Sequence, residues 1–295
     1  AKMRQIKAFL VLITILIIPS GLTSQSNNIQ KYIYNLKKDT LFTDAAVSIL
    51  VTDSKGKAIA SWNPDMPLLT ASTMKTITTG TALNLLGKDY RFTTKLGYTG
   101  EVKNGVLYGD LVIIGGGDPT LGSPDTLGIP IDSLFLSWKD AVLKAGIRQI
   151  NGLIVADDRF FENEIVPESW SWSNLGPSYG SGVSGLSFYE NLQNFTFKPG
   201  INKGDKVYIK NTFPYVPGMV FMNDLTTGEV KSGNRVAYYT SDLARTGLLK
   251  GSVAAGQDSA AVLLSNKFPH LGCAWEFRSF LYKNGILSGP GVADA

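Results

Sequence analysis

The sequence of 295 residues is long enough for one large domain or two to three smaller ones, and its 44% of hydrophobic residues with 31 glycines predicts a globular chain rich in turns. Its formal charge of +4 owes three positive charges to Lys2, Arg4 and Lys7, in a segment that contains no acid. The rest of the chain is nearly neutral, so its charge supports neither a nucleic-acid partner nor a membrane-surface partner.

The N-terminus has the pattern of a secretory signal peptide. Basic residues precede an apolar run at 8–18, and Pro19, Ser20 and Gly21 follow it. We predict a signal peptide over residues 1–24, with an uncleaved anchor as the alternative, because the run is short for a transmembrane helix. Cys273 is the only cysteine, so the chain cannot form an internal disulfide. In the oxidising compartment of an exported protein, we expect this lone thiol to be buried.

The first folded segment is predicted to be a helix, a hairpin and a second helix. Apolar residues recur near helical spacing over 28–44, and strands at 45–51 and 58–62 flank a turn at 53–56. Ser72 begins the second helix, which ends near Gly87. Five apolar residues predict that this helix is mostly buried: Met74, Ile77, Leu83, Leu85 and Leu86.

Ser72 and Lys75 carry the strongest chemical signal of the chain. Three helical positions correspond to about 300° of rotation and a rise of about 4.5 Å, so both side chains leave one face. A serine becomes nucleophilic when a base takes its proton, and a neutral lysine one turn away can be that base. On spacing alone, an N-cap serine beside an exposed lysine is the better explanation of the pair. The setting at the N-terminus of a buried helix favours the nucleophile instead.

His270 is the only histidine of the chain. It lies in a predicted loop without a nucleophile motif, so we do not expect it to be catalytic, and a serine nucleophile must use another base. A metal cluster built from histidines is excluded, and we predict no metal and no cofactor.

The middle of the chain reads as an α/β module. Strands are predicted at 92–98, 105–114 and 147–156, around a helix from Ile131 to Ala145. The inward side of this helix is predicted to consist of Leu134, Leu136, Trp138, Ala141 and Val142. A glycine-rich segment at 115–121 resembles a phosphate loop but has Thr120 where a glycine is needed, so a structural turn is the better interpretation.

The remaining chain is predicted to contain an aromatic loop, several strands and a last helix. The aromatic residues of 160–185 fit either a small core under a loop or the wall of a binding groove. Strands follow at 194–197, 206–210 and 235–239, and a helix at 274–284 ends at Gly285.

Taken together, these segments resemble the D-alanyl-D-alanine carboxypeptidase/endopeptidase family, the low-molecular-mass penicillin-binding proteins with a large insert after the nucleophile. The matching segments are Asn63-Pro-Asp65, Ala71-Ser-Thr-Met-Lys75, Tyr90-Arg-Phe92, Gly115-Gly-Gly-Asp-Pro-Thr-Leu121, Val155-Ala-Asp-Asp158, Trp170-Ser-Trp172, Tyr179-Gly180, Gly182-Val-Ser-Gly-Leu-Ser187, Glu190-Asn191 and Gly285-Ile286. The resemblance implies an α/β fold, with a partial β-lactamase-like transpeptidase domain at 25–92 and 266–295 and a mixed α/β insert at 93–265.

The resemblance also implies a function. Ser72 would attack the D-Ala-D-Ala carbonyl of peptidoglycan stem peptides, Lys75 would act as the general base, and β-lactams would acylate the same serine. Trp172, Asn174 and Tyr179 would contact the substrate. Relatives tend to have an acidic residue where this chain has Asn174, which leaves the substrate preference open.

Two expected motifs are not found where the family has them. The family needs an S-x-N and a K-T-G motif downstream of the insert. Ser232-Gly-Asn234 and Lys231-Ser-Gly233 match as strings but overlap inside the insert, so we interpret them as coincidence. We therefore expect a truncated enzyme that is inactive in this form. A non-catalytic cell-envelope binding protein and a β-lactamase-like hydrolase remain the alternatives.

Overall fold

The computed structural model describes residues 20–125, 128–162 and 165–295 and has the predicted mixed α/β class. Most of the predicted signal peptide, at 1–19, lies outside the described residues. Within the described residues, we find no helix long and apolar enough to cross a membrane. The chain divides into two compact units, residues 1–90 and 91–295, and each is described by itself.

The first unit contains the predicted hairpin. Its elements are α1 (Ser20–Leu36), β1 (Ile49–Thr52), β2 (Ala58–Trp62) and α2 (Met74–Leu86). The antiparallel pair β1–β2 closes through Asp53, whose carboxylate accepts the backbone N–H groups of Lys55 and Lys57. The predicted helix at 28–44 is α1 followed by a short 3₁₀ turn at Thr40–Phe42.

The prediction that α2 is buried is wrong. None of its residues is buried, and its apolar side chains are between 45% and 75% exposed. These side chains lie around the whole helix rather than on one stripe, a pattern that requires covering on several sides. The described residues supply no such cover. The helix itself ends as predicted at Gly87, which has a φ of +80° and donates to the Leu83 carbonyl.

The second unit has a first core between two helices and two small sheets. Its helices are α3 (Ile131–Lys144) and α4 (Pro269–Lys283). One sheet has the order β15-β8-β6-β3, and the other has the order β4-β5-β7. Their strands are β3 (Lys95–Tyr98), β4 (Glu101–Lys103), β5 (Val106–Tyr108), β6 (Leu111–Ile114), β7 (Gln149–Ile150), β8 (Ile154–Asp157) and β15 (Val292–Asp294). Phe135, Trp138 and Phe277 pack against one another in this core in tilted and edge-to-face arrangements, with ring centroids 5.2–5.7 Å apart.

A second core lies between two three-stranded sheets with the orders β10-β9-β14 and β11-β13-β12. The strands are β9 (Leu192–Lys198), β10 (Tyr208–Phe213), β11 (Val220–Gly228), β12 (Arg235–Tyr239), β13 (Thr246–Ala254) and β14 (Ala260–Ser265). Phe195 and Phe197 alternate with more exposed residues along β9 and point into this core, as the period of two requires.

Both helices of the second unit differ in detail from their predictions. In α3, Leu136 is 45% exposed and Ala141 is also exposed, while Phe135 takes the inward place, because positions 134, 135, 138 and 142 form the buried face. Helix α4 begins five residues earlier than predicted, at Pro269. Residues 266–295 pack in the second unit, and their assignment to a transpeptidase-like domain stays a prediction.

Candidate active site

Ser72 and Lys75 are brought together as their spacing predicts. Ser72 lies in a 3₁₀ turn, Ala71–Thr73, which continues directly into α2, and Lys75 lies in the first turn of that helix. The Lys75 Nζ donates to the Ser72 Oγ at 2.9 Å. In this contact the amine is the donor. Proton transfer from the hydroxyl requires a neutral amine that accepts over the same distance.

The backbone is strained immediately before the serine. Ala71 has a φ of +43°, a left-handed conformation that costs a non-glycine residue about 1–3 kcal/mol. The Thr73 hydroxyl and backbone N–H both donate to the Thr70 carbonyl and close the turn over this residue. Strain of this kind is concentrated at functional positions, which supports a special role for Ser72.

Both side chains of the pair are exposed. The sequence argument required a buried setting that keeps the lysine neutral. The described residues do not provide that setting, for the same reason that α2 is uncovered.

The three predicted substrate contacts cluster on one segment, residues 172–180, which we call the candidate binding turn. It consists of two 3₁₀ turns, Trp172–Asn174 and Ser178–Gly180. The Tyr179 hydroxyl donates to the Asn174 Oδ1 at 3.3 Å, and the Trp172 ring lies 5.3 Å from the Tyr239 ring. Trp172 is 62% and Tyr179 73% exposed, so these two rings do not form a satellite core. Their role as the wall of a binding groove stays a prediction.

Ser265, the last residue of β14, anchors the candidate binding turn through two hydrogen bonds. The Ser265 backbone N–H donates to the Gly176 carbonyl at 2.9 Å, and the Ser265 hydroxyl donates to the Leu175 carbonyl. On the other side, the Gly176 backbone lies against β12, where a Cβ atom would come within 1.6 Å of the Tyr238 carbonyl oxygen. The turn is therefore fixed between two strands of the second core.

Lys267 belongs to this support, and sequence reasoning missed it. Its side chain is only 2% exposed and its Nζ donates to the Gly180 carbonyl. Burial lowers the pKa of this ammonium to about 8, and the carboxylate of Asp242 opposes part of the shift. The one local signal is the polar triplet Ser265-Asn266-Lys267, which interrupts the apolar pattern at the end of β14.

His270 lies buried at the start of α4, between two carboxylates. Its Nδ1 is 3.2 Å from Asp158 and its Nε2 is 2.7 Å from Asp294. The contact with His270 lowers the pKa of Asp294, against the effect of partial burial. The three residues have the composition of a metal site. However, each ring nitrogen faces a different carboxylate, so the arrangement holds the ring between Asp158 and Asp294.

The remaining motifs have structural roles. In the glycine-rich segment, a Cβ at Gly115 would come within 2.2 Å of the Gly185 carbonyl oxygen, and one at Gly116 within 2.0 Å of the Thr93 oxygen. These glycines permit a close backbone approach, as the interpretation of a structural turn requires. In the Ser232-Gly-Asn234 string, the Asn234 amide oxygen accepts from the Ala254 backbone and the Gln257 side chain.

A cavity of about 720 Å³ lies elsewhere in the second unit. It is lined by Phe135, Tyr189, Phe280, Glu276 and Lys283, among others, and by none of the five predicted site residues.

Comparison with known proteins points to one family. A sequence profile of the D-Ala-D-Ala carboxypeptidase 3 (S13) family matches residues 27–293. The chain is 31% identical over 158 residues to the D-alanyl-D-alanine carboxypeptidase of Actinomadura sp. (strain R39), which covers 51% of this chain and 26% of that protein. It is 30% identical over 174 residues to the D-alanyl-D-alanine carboxypeptidase DacB of Haemophilus influenzae, or 58% of this chain and 34% of that protein. The chain thus spans between about a quarter and a third of these relatives.

Solved structures show the same fold. Penicillin-binding protein 4 from Haemophilus influenzae superposes with a TM-score of 0.64 at 24% identity, over 81% of this chain and 50% of that one. The same protein in complex with a β-lactam superposes with a TM-score of 0.57 at 20% identity, over 82% of this chain and 48% of that one.

Proposed function

Because the chain belongs to the D-Ala-D-Ala carboxypeptidase 3 (S13) family, we propose that it serves as a serine-type carboxypeptidase or endopeptidase on peptidoglycan stem peptides. The observation that carries this proposal is the 2.9 Å contact between the Lys75 Nζ and the Ser72 Oγ. Lysine can be the base of a serine enzyme because a single positioned amine both removes the hydroxyl proton and returns it.

The reaction would proceed by acyl transfer. The Ser72 Oγ bonds to the carbonyl carbon of the penultimate D-alanine while Lys75 takes the hydroxyl proton. The carbon–nitrogen bond then breaks, and the terminal D-alanine leaves with that proton. Water attacks the resulting ester, and Ser72 recovers its hydroxyl. The backbone N–H of Ser72 would supply part of the oxyanion hole, where one donor is typically worth 10²–10³-fold in rate.

Trp172, Asn174 and Tyr179 would bind the stem peptide. The two exposed rings offer amphipathic surfaces, and the Asn174 amide offers a neutral donor and acceptor. Asn174 carries no charge, so we expect a weaker preference for a basic stem-peptide side chain than an acidic residue would give. β-Lactams would act as covalent inhibitors at Ser72, and export to the cell envelope is part of the same proposal.

One observation favours a second candidate function. Ser72 and Lys75 are exposed on a helix with no buried residue, so the described chain lacks the desolvated setting that covalent catalysis requires. A non-catalytic protein that binds the cell envelope would keep the fold without that setting. A β-lactamase-like hydrolase is the other alternative, and it differs only in the fate of the acyl-enzyme.

The test is mass spectrometry of the purified chain after incubation with benzylpenicillin. The proposal requires an adduct on the peptide that contains Ser72, a result that would overturn the expectation of inactivity drawn from the missing S-x-N and K-T-G motifs. Ser72→Ala should remove it, and Ser54→Ala, an exposed serine of the same unit, should not. An adduct that lasts for hours indicates a penicillin-binding peptidase, and one that is released within seconds indicates a β-lactamase. The absence of an adduct on the unchanged chain would contradict catalysis by this chain and favour the binding protein.

A further inference from the structure

We propose that Lys267 is a positioning residue of the candidate binding turn, and that it fixes Tyr179 and Asn174 in the geometry that receives the stem peptide. The inference rests on the proposed function, because that function makes the turn a substrate site. In this assignment Lys267 acts only through the turn.

The first argument is the burial of the ammonium. At 2% exposure, Lys267 has given up nearly all contact with water, which is costly for a charged group unless a good acceptor replaces the water. The acceptor is the Gly180 carbonyl. A hydrogen bond from a charged donor is about twice as strong as a neutral one, so this contact holds the backbone more firmly than its neighbours do.

The second argument is where that contact acts. Gly180 directly follows Tyr179, and its backbone lies so close to Asn174 that a Cβ atom would come within 1.8 Å of the Asn174 carbonyl oxygen. A displacement of Gly180 would therefore move both partners of the 3.3 Å hydrogen bond between Tyr179 and Asn174. Lys267 thus controls the two predicted polar contacts to substrate through one peptide group.

The third argument is that uncharged donors are enough to hold the first half of the turn. Ser265 ties Leu175 and Gly176 to the end of β14 through its hydroxyl and its backbone N–H. This half of the turn is fixed without a buried charge. The charged contact is used only for the half that carries Tyr179, which a role in substrate positioning explains.

The experiment compares Lys267→Met with Lys267→Arg and with Lys210→Met, an exposed lysine of the same unit. Hydrogen exchange should be about tenfold faster in Lys267→Met at Gly180 and Ser181, whose amides donate to Pro177 and Ser178, and unchanged in β13. Calorimetry in a Ser72→Ala background, with the peptide L-Ala-γ-D-Glu-L-Lys-D-Ala-D-Ala, should show at least tenfold weaker binding. Lys267→Arg should restore part of the affinity, and Lys210→Met should change it less than twofold.

Acylation by benzylpenicillin, measured with Ser72 in place, separates this inference from the proposed function. We expect Lys267→Met to acylate within twofold of the unchanged protein, since penicillin lacks the stem peptide; a general structural defect would slow acylation as well. Unchanged exchange at Gly180, or faster exchange with unchanged peptide affinity, would overturn the role of Lys267. If the Ser72→Ala protein that keeps Lys267 does not bind the peptide, the role of Lys267 is overturned as well. Absence of acylation by benzylpenicillin counts only against the proposed function. If Lys267→Met does not fold, Lys267→Gln, which keeps a donor but not the charge, replaces it.

Discussion

The two parts of the proposed site are held in opposite ways. Ser72 and Lys75 are three residues apart, and the contacts that orient them lie within residues 70–75. The candidate binding turn is tied to residues 90 and 87 positions further along the chain, through Ser265 and Lys267. The comparison shows that local backbone geometry is enough to bring the two side chains of the proposed catalytic pair together, whereas the candidate binding turn depends on the packing of distant strands.

The largest effect is expected for a change in the Ser72–Lys75 pair, and it concerns the rate of acylation. Lys75→Met should reduce the rate of benzylpenicillin acylation by about 10²–10⁴-fold, the usual contribution of a positioned general base. Time-resolved mass spectrometry measures the rate. Lys88→Met, an exposed lysine just after α2, is the matched control and should leave it unchanged. Similar rates in both variants would show that the base is another residue.

This comparison also explains which features the sequence could predict. The Ser72–Lys75 contact follows from helical spacing, and α3 follows from its apolar period, although Leu136 and Ala141 were assigned to the wrong side. The exposure of α2 could not be read from its residues, because burial depends on what covers a helix. The apolar residues of α2 indicate that the helix needs a cover, but they do not specify which residues supply it.

The missed features all depend on distant partners. Lys267 is buried because the candidate binding turn, some 90 residues earlier, lies over it. The first turn of α4 contains a proline, a histidine and a glycine, a composition typical of a loop, and it is helical because Leu271, Cys273 and their neighbours enter a tertiary core. Tertiary burial overrode local propensity in both places.

The second prediction compares two leucines, one in each unit. Leu281→Ala in α4 removes a fully buried side chain and should lower the free energy of unfolding by about 2–5 kcal/mol. Leu85→Ala in α2, where the side chain is 75% exposed, should change it by less than about 0.5 kcal/mol. Urea unfolding followed by fluorescence and circular dichroism measures both. A loss above 2 kcal/mol for Leu85→Ala would show that α2 is covered in solution.

The third prediction compares two glycines. Gly176→Ala places a methyl group against the Tyr238 carbonyl and should destabilise the second unit by about 1–3 kcal/mol, because the backbone must move. Gly80→Ala in α2 meets nothing within 4 Å and should stabilise the helix by about 0.5–1 kcal/mol, since alanine is the better helix former. Thermal unfolding distinguishes the two signs. A neutral Gly176→Ala would mean that the turn is not held against β12.

The smallest predicted effect is a pH dependence of the free energy of unfolding, which arises from Lys267 in the support of the candidate binding turn. The pKa of Lys267 falls from an ordinary value near 10.5 to about 8 in the fold. Between these values the unfolded chain binds more protons than the folded one, so stability rises with pH. We expect Lys267 to contribute an increase on the order of 1 kcal/mol in the free energy of unfolding from pH 7.5 to 9.5. Burial also raises the pKa of the Cys273 thiol, and that shift opposes the increase equally in every variant compared.

Lys267→Met should lack this increase, and Lys210→Met should retain it. The range stops at pH 9.5 because burial raises the pKa of Tyr238 to about 12, and that shift acts in the opposite direction once unfolded tyrosine begins to ionise. All three proteins share this tyrosine, so the difference between variants isolates Lys267. An identical pH dependence in Lys267→Met and Lys210→Met would show that the ammonium is hydrated in solution. The candidate binding turn would then be held by Ser265 and the Gly176 contact with β12, without a buried charge.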